Sequence, residues 1–424
     1  VSQNYPNHRK IVNDPVYGFV TIPSDFLFSL IEHPFFQRLR RIRQLGLTSF
    51  VYPGALHTRF HHALGAMHLT MEAIETLRNK GSDISDEEAE ATLAAILLHD
   101  IGHGPFSHSL EHSIVTKTSH EDISSLIMER MNSDFNGKLS LAIEIFCGRY
   151  YKKFLHQLIS SQLDMDRLDY LKRDSFYTGV SEGVISTDRL IKMLVVHNDE
   201  LMVEAKGIYS VEKFIVARRL MYWQVYYHKT VVSAENLLIN LLRRAKYLVV
   251  EGENLFASPP LNLFLKNNFS KDDFIRDPAL LDQFALLDDY DVFGSVKVWA
   301  MHHDKVLAFL SRGLVDRHLF RTELTNDPVS ESDLQDLKNK IIEVFGLNTS
   351  AEADYLFSHG IITNNAYIPE SDRINILAKD GSVTDISDSS DQLNVSMLTK
   401  AVSKYVLSYP KKIVRPFKTS NQII

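Results

Sequence analysis

The sequence predicts a mainly α-helical protein with a small α+β appendage toward its C-terminal end. Three observations predict it. Apolar residues recur at three- and four-residue spacing, as in Leu64, Met67, Met71, Ile74 and Leu77. Helix-opening signals such as Ser85-Asp86-Glu87-Glu88 and Ser119-His120-Glu121-Asp122 precede apolar stretches. Extended patterning is seen in an arm at residues 9–22 and in alternation over residues 362–409.

Taken in order, the arm carries an Asp14-Pro15 turn and Gly18, and Pro23-Ser24 opens a helix through Phe28 and Ile31. His33-Pro34 breaks that helix. A basic helix is expected over Gln37-Arg38-Leu39-Arg40-Arg41-Ile42-Arg43-Gln44, its guanidinium groups suited to bidentate phosphate contacts. After the Tyr52-Pro53-Gly54-Ala55 turn, His57-Thr58-Arg59-Phe60-His61-His62 leads into a helix that stops at Gly81. The helix opened at Ser85 ends in Leu97-Leu98-His99-Asp100, followed by Gly102, His103, Gly104, Pro105 and His108. His120, at a helix start among positive backbone N–H groups, is expected to resist protonation. Asp166, Tyr170 and Asp174 are spaced i, i+4, i+8 and form one polar helical stripe. Residues 211–248 read as a long helix or two, mixing Arg218, Tyr226 and other aromatic and basic residues. Short capped helices are expected from Ser258-Pro259-Pro260 to about residue 347, then a turn at Lys379-Asp380-Gly381, a polar loop at Asp385–Asp391 and a helix over Met397–Leu407. The chain divides into an arm and basic helix at 1–50, a core at 51–250 and a C-terminal region at 251–424.

Composition bounds the function. The 424 residues are 45% hydrophobic and 23% charged, as in ordinary globular proteins, and the net charge of −7 argues against a surface that coats nucleic acid, leaving only a weak local case for such binding. A single cysteine, Cys147, excludes an internal disulfide framework and suits a reducing compartment. No apolar run approaches membrane-spanning length, and the first residues lack the apolar core of a secretory leader, so the expectation is a cytoplasmic protein without membrane contact.

The chemistry concentrates in residues 57–120, which hold nine of the 18 histidines. An isolated His-Asp pair is ordinarily a core histidine beside a capping carboxylate. Here a histidine from the 57–62 group, the His99-Asp100 pair and a carboxylate from the 164–174 stripe together make a mixed N/O donor set suited to Fe, Mn, Co or Zn, and less so to Mg alone. His103, His108 and His120 remain as acids or phosphate donors. There is no Gly-rich phosphate loop, no Ser-His-Asp nucleophile motif and no Cys-x-x-Cys site. Residues and spacing therefore indicate a metal-dependent hydrolase of phosphate esters.

The motifs carry this further. Gln44-Leu45-Gly46, Tyr52-Pro53-Gly54-Ala55, Arg59-Phe60-x-His62, His99-Asp100-x-Gly102-His103-Gly104-Pro105, His120-Glu121 and Asp166-x-x-Asp169-Tyr170 resemble, in order and spacing, the dNTP triphosphohydrolases of the HD phosphohydrolase superfamily. They are most similar to the branch typified by the animal enzyme with SAM and HD domains, without a SAM-type segment. The resemblance implies a helical HD core and four metal ligands, His62, His99, Asp100 and Asp166. It implies catalytic or phosphate-contacting roles for His103, His108, Glu111 and His120, with Glu111 standing for an Asp. Arg59, Arg167 and Arg218 fall at triphosphate-binding positions, Arg167 standing for a Lys. Gln44, Tyr170, Asp174 and Tyr226 match positions that hold the deoxyribose and exclude a 2′-hydroxyl. The implied reaction converts a dNTP and water into a deoxynucleoside and inorganic triphosphate. The same resemblance implies a regulatory site for a dNTP or GTP at Lys10, Asn13, Glu32 and Arg40, with Glu32 in place of a guanine-reading Asp, and a homo-oligomer, dimeric or tetrameric.

Overall fold

In a computed structural model, residues 10–106, 110, 113, 115, 118–369, 373–390 and 399–414 are described. The expected arm is a β-hairpin, β1 (Lys10–Asp14) pairing antiparallel with β2 (Gly18–Ile22). Its turn is closed by Asp14, whose Oδ1 accepts from the backbone N–H groups of Val16 at 2.8 Å and Tyr17 at 3.1 Å. Ser24 caps helix α1 (Asp25–Glu32).

The basic helix expected over Gln37–Gln44 does not form. Pro34–Gln37 makes one helical turn, Arg38–Arg41 a 3₁₀ turn, and Ile42 is extended with φ −116° and ψ 115°. Tertiary pairing overrides the local preference: Arg43 bridges to Thr58, and the amide of Arg43 is taken by the Asp289 carboxylate at 3.0 Å.

The centre of the molecule is a stack of helices. They are α2 (Arg59–Asn79), α3 (Asp86–Leu98), α4 (His120–Asp134) and α5 (Met165–Thr178), with α2 packed on both α3 and α5. Ser85 and Glu88 form the expected capping box on α3. The last five residues of α3, Ala94 to Leu98, are fully buried, so the helix runs through the core and delivers His99 and Asp100 at its inner end. Gly179, at φ +75°, ends α5 in the left-handed conformation that a glycine adopts without steric cost. The region read as one or two helices is α6 (Ile208–Met221) and α7 (Lys229–Val250), separated by a π-helical turn over Tyr222–Tyr226.

Beyond α7 the expected short helices are joined by strands. β3 (Leu194–His197) and β4 (Glu200–Glu204) are extended into a four-stranded sheet by β7 (Asn375–Leu377), parallel to β4, and β8 (Val383–Asp385). A second sheet has the order β5 (Arg321–Thr325), β9 (Val402–Tyr409), β6 (Ser358–Asn364). Strand β5 lies inside the region read as helical, and β9 replaces the helix expected over Met397–Leu407 in its described part, the first two residues lying outside the described residues. Val402, Tyr405, Val406 and Leu407 serve a strand as readily as a helix, and β9 is the central strand, hydrogen-bonded on both edges. The polar loop expected over Asp385–Asp391 contains a short helical turn, Ile386–Ser389. No helix among the described residues is long and apolar enough to cross a membrane.

Candidate metal centre and active site

Three helices converge at one end of the core. His62 enters from the first turn of α2, His99 caps α3, and Asp166 stands in the first turn of α5. Their donor atoms lie within 4.8 Å of one another. His62 Nε2 is 2.9 Å from Asp166 Oδ1 and 3.4 Å from His99 Nε2, and His99 Nε2 is 3.4 Å from Asp166 Oδ1. Each imidazole is aimed by its other nitrogen: His62 Nδ1 bonds Asp169 Oδ2 at 2.7 Å, and His99 Nδ1 bonds the Ile96 carbonyl at 2.6 Å. Both therefore donate at Nδ1 and turn Nε2 inward, the arrangement of a metal-ligating histidine.

Asp100, the fourth expected ligand, borders this group. Its Oδ2 is 3.8 Å from His62 Nε2 and is hydrogen-bonded by Arg59 NH1; its Oδ1 is 3.5 Å from His99 Nε2 and 3.2 Å from His103 Nε2. Burial disfavours the charged form of His62, yet its bonds to Asp166 and Asp169 outweigh that and raise it to about 10. Asp166 is held well below the usual carboxylate range, because its bonds to His62 and His99 overcome its burial.

The expected proton-transfer groups flank this centre. His103 stacks on His120 with ring centres 3.9 Å apart. Burial and the Arg59 charge push His103 down to about 3, so it is neutral at ordinary pH. His108 and Glu111 lie outside the described residues.

The polar stripe of α5 is half-buried at Asp166 and Tyr170 and fully buried at Asp174. Asp174 Oδ1 bonds His57 Nε2 at 2.7 Å, and its Oδ2 accepts from the Tyr226 hydroxyl at 2.7 Å. The Tyr170 ring lies 6.2 Å from that of Tyr226. The Tyr170 hydroxyl and Gln44 Oε1 are buried without a hydrogen-bond partner among the described residues. Arg167 Nε donates to the Ser161 carbonyl at 2.6 Å and Arg218 NH1 to Gln162 Oε1 at 3.1 Å, both arginines lying beside the stripe. Arg218 Nε is likewise buried without a partner among the described residues.

The expected regulatory residues are elsewhere, all exposed. Lys10 and Asn13 are on the hairpin, Glu32 ends α1, and Arg40 is in the 3₁₀ turn. Lys10 Nζ sits 3.0 Å over the Phe28 ring, one helical turn before Glu32, and Arg40 lies over the Phe60 ring.

Four residues at the site have roles that the sequence reading does not give them. Asp169 orients His62, and Arg173 holds Asp169. His57 holds Asp174, and Arg38 grips the loop after the His-Asp pair. Asp169 and Arg173 had a local signal, being spaced i, i+4; Arg38, read as a phosphate contact, is instead spent on the Ile101 and His103 carbonyls, and His57, one of the possible donors of the 57–62 group, on Asp174.

Residues 59–174 match the HD domain, and residues 185–257 match the HD-associated region. The protein YwfO of Bacillus subtilis is 32% identical over 97% of this chain and 95% of its own length. A crystal structure of a phosphohydrolase from Bacteroides thetaiotaomicron is 55% identical, covers 95% of this chain and 99% of its own, and superposes with a TM-score of 0.91. The chain belongs to the HD-domain phosphohydrolases. Relatives named deoxynucleoside triphosphate triphosphohydrolase SAMHD1 include a Dictyostelium discoideum homologue, 31% identical over 58% of this chain and 51% of that protein. The human protein is 27% identical over 59% and 47%. This chain spans about half the length of each.

HD domains are metal-dependent, and the donors present fit a divalent ion: two imidazoles fixed to ligate through Nε2 and a carboxylate, with Asp100 at hand. The mixed N/O set accommodates Mn, Fe, Co or Zn.

Proposed function

We propose that this HD-domain phosphohydrolase is a dNTP triphosphohydrolase, converting a dNTP and water into a deoxynucleoside and inorganic triphosphate. One arrangement carries the reading. A single helix, α5, presents the candidate ligand Asp166 and, eight residues on, Asp174 clasped by His57 and Tyr226. Eight helical residues span about 12 Å, which leaves room for a sugar beside the reacting phosphate.

Asp174 and Gln44 would hydrogen-bond the 3′-hydroxyl. Tyr170 and Tyr226 would close against the C2′ position, where an added oxygen has no room and no partner. Arg59, Arg167 and Arg218 would offset the charge on the polyphosphate. His62, His99 and Asp166, with Asp100 beside them, would hold a divalent ion, which when bound would supply Lewis acidity toward the phosphate and toward water. The leaving 5′-oxygen needs a proton, which His120 or His108 would give; neutral His103, stacked on His120, orients it, and Glu111 completes the relay.

The relatives named dNTP triphosphohydrolases support the reading at their partial coverage. The test is to incubate metal-loaded protein with each dNTP and rNTP, singly and in pairs, and identify the products. Triphosphate and deoxynucleoside are expected from dNTPs, with His99→Ala and Asp166→Ala folded but inactive. Release of orthophosphate, or hydrolysis of nucleoside monophosphates or cyclic nucleotides instead, assigns a different HD phosphohydrolase activity.

Activation by a dNTP or GTP bound at Lys10, Asn13, Glu32 and Arg40, within a homodimer or homotetramer, is part of the proposal. The exposure of all four side chains supports it. Gel-filtration size and turnover should both respond to an added nucleotide; no response to any nucleotide removes this part.

A further inference from the structure

The hairpin is connected to the metal centre by an unbroken run of buried charge. Asp14 Oδ2 accepts from Arg173 NH1 at 2.7 Å. Arg173 Nε and NH2 donate to the two oxygens of Asp169 at 2.9 and 3.0 Å. Asp169 Oδ2 bonds His62 Nδ1 at 2.7 Å, and His62 Nε2 faces Asp166 at 2.9 Å. All four side chains, Asp14, Arg173, Asp169 and His62, are at most 2% exposed.

Two features indicate that this connection is built rather than incidental. The first is the division of labour within Asp14: Oδ1 closes the hairpin turn while Oδ2 holds Arg173. The turn and the guanidinium thus share one carboxylate, so the position of the turn and that of Arg173 are set together. The second is Gly65, one turn along α2 from His62. A β-carbon there would lie 2.0 Å from Asp169 Oδ1 and 2.1 Å from Arg173 NH2. The helix surface is cut away where the pair passes.

We propose that Asp14 and Arg173 are positioning residues of the metal centre: the hairpin turn, acting through Arg173 and Asp169, fixes the His62 imidazole with Nε2 presented to the cation. The inference rests on the reading of His62, His99 and Asp166 as cation donors. Two carboxylates around one guanidinium leave a net negative charge behind His62, which also makes its inward nitrogen a better donor. Loss of a partner behind a ligating histidine typically costs about 10- to 100-fold in metal affinity.

The test is a Mn²⁺ titration of metal-stripped full-length protein, taking the site lost in His99→Ala as the centre. Asp14→Asn has one acceptor oxygen, so it can close the turn or hold Arg173 but not both. It should bind Mn²⁺ on the order of tenfold more weakly, whereas Ile11→Thr, on the exposed face of β1, should match wild type. Coupling is reciprocal, so in the unmutated protein Mn²⁺ should slow hydrogen exchange at the amides of Val16 and Tyr17, and should fail to do so in His99→Ala. That second readout decides the matter if Asp14→Asn does not fold. Wild-type affinity in Asp14→Asn, or hairpin exchange indifferent to Mn²⁺, overturns the proposal. Wild-type protein with no Mn²⁺ site dependent on His99 overturns instead the reading of the centre itself, and this inference with it.

Discussion

The Arg38 guanidinium donates to the carbonyl of His103 at 2.8 Å and, through its other terminal nitrogen, to that of Ile101 at 2.9 Å. Arg38 is 1% exposed, and burial beside Arg41 lowers it to about 9, so it remains charged at neutral pH. One side chain thereby fixes the backbone that follows the His99-Asp100 pair. Arg38→Ala strands two buried carbonyls and should destabilise the fold by about 3 kcal/mol, read as a lower denaturant midpoint. Turnover should fall as the loop loosens.

Gly102 lets that loop lie on the start of α4. A β-carbon there would meet the His120 carbonyl at 2.2 Å and the Ser124 amide at 2.3 Å. Neither backbone group can move without displacing α4. Gly102→Ala should cost about 1–3 kcal/mol by thermal melting, and should part His103 from His120, lowering turnover more than nucleotide binding.

Sugar selection is open to a single-atom test. Tyr226→Phe removes the hydroxyl that bonds Asp174 and leaves the ring in place. If the pair recognises deoxyribose, kcat/KM for dNTPs should drop up to about tenfold and the preference over rNTPs should narrow. Matched initial rates on dATP and ATP measure both.

Asp289 makes a pH prediction. It accepts from the amides of Arg43 at 3.0 Å and Phe106 at 3.2 Å, and burial, only partly offset by those bonds, raises it to about 6. The unfolded carboxyl titrates near 3.9. Between roughly pH 4 and 6 the folded state holds a proton that the unfolded state has lost, so this contribution to stability is full below the window and declines as pH rises through it. Asp289→Asn should flatten that decline, seen as a wild-type-minus-variant difference in Tm that shrinks from pH 4 to pH 6.

Part of the candidate site is readable from local spacing, whereas the choice of His62 within the 57–62 group rests on the family resemblance. The stripe Asp166, Tyr170, Asp174 needs only the helical repeat, and capping signals mark the starts of α3 and α4. Arg173 is a different case. Its spacing from Asp169 is that of any solvated ion pair on a helix, and only the arrival of Asp14, 159 residues earlier in the chain, makes the pair interior. The C-terminal strands illustrate the same limit. Apolar residues in Met397–Leu407 suit either periodicity, and the choice is made by Arg321–Thr325 and Ser358–Asn364 coming to lie on either side. The basic stretch after Gln37 fails as a helix for a like reason, since Arg38 and Arg43 are claimed by distant partners.

The π-helical turn at Tyr222–Tyr226 has a consequence for chain length. A wide turn of this kind accommodates one residue more than an α-helix would, and that residue sets the angular phase of all that comes after. Deleting any one of residues 219–225 would rotate the segment that follows it by about 100°, swinging the Tyr226 phenol off Asp174. Spacing in this stretch is thus itself a determinant of the Asp174–Tyr226 pairing, and a chain one residue shorter here would lose that pairing whatever amino acids it retains.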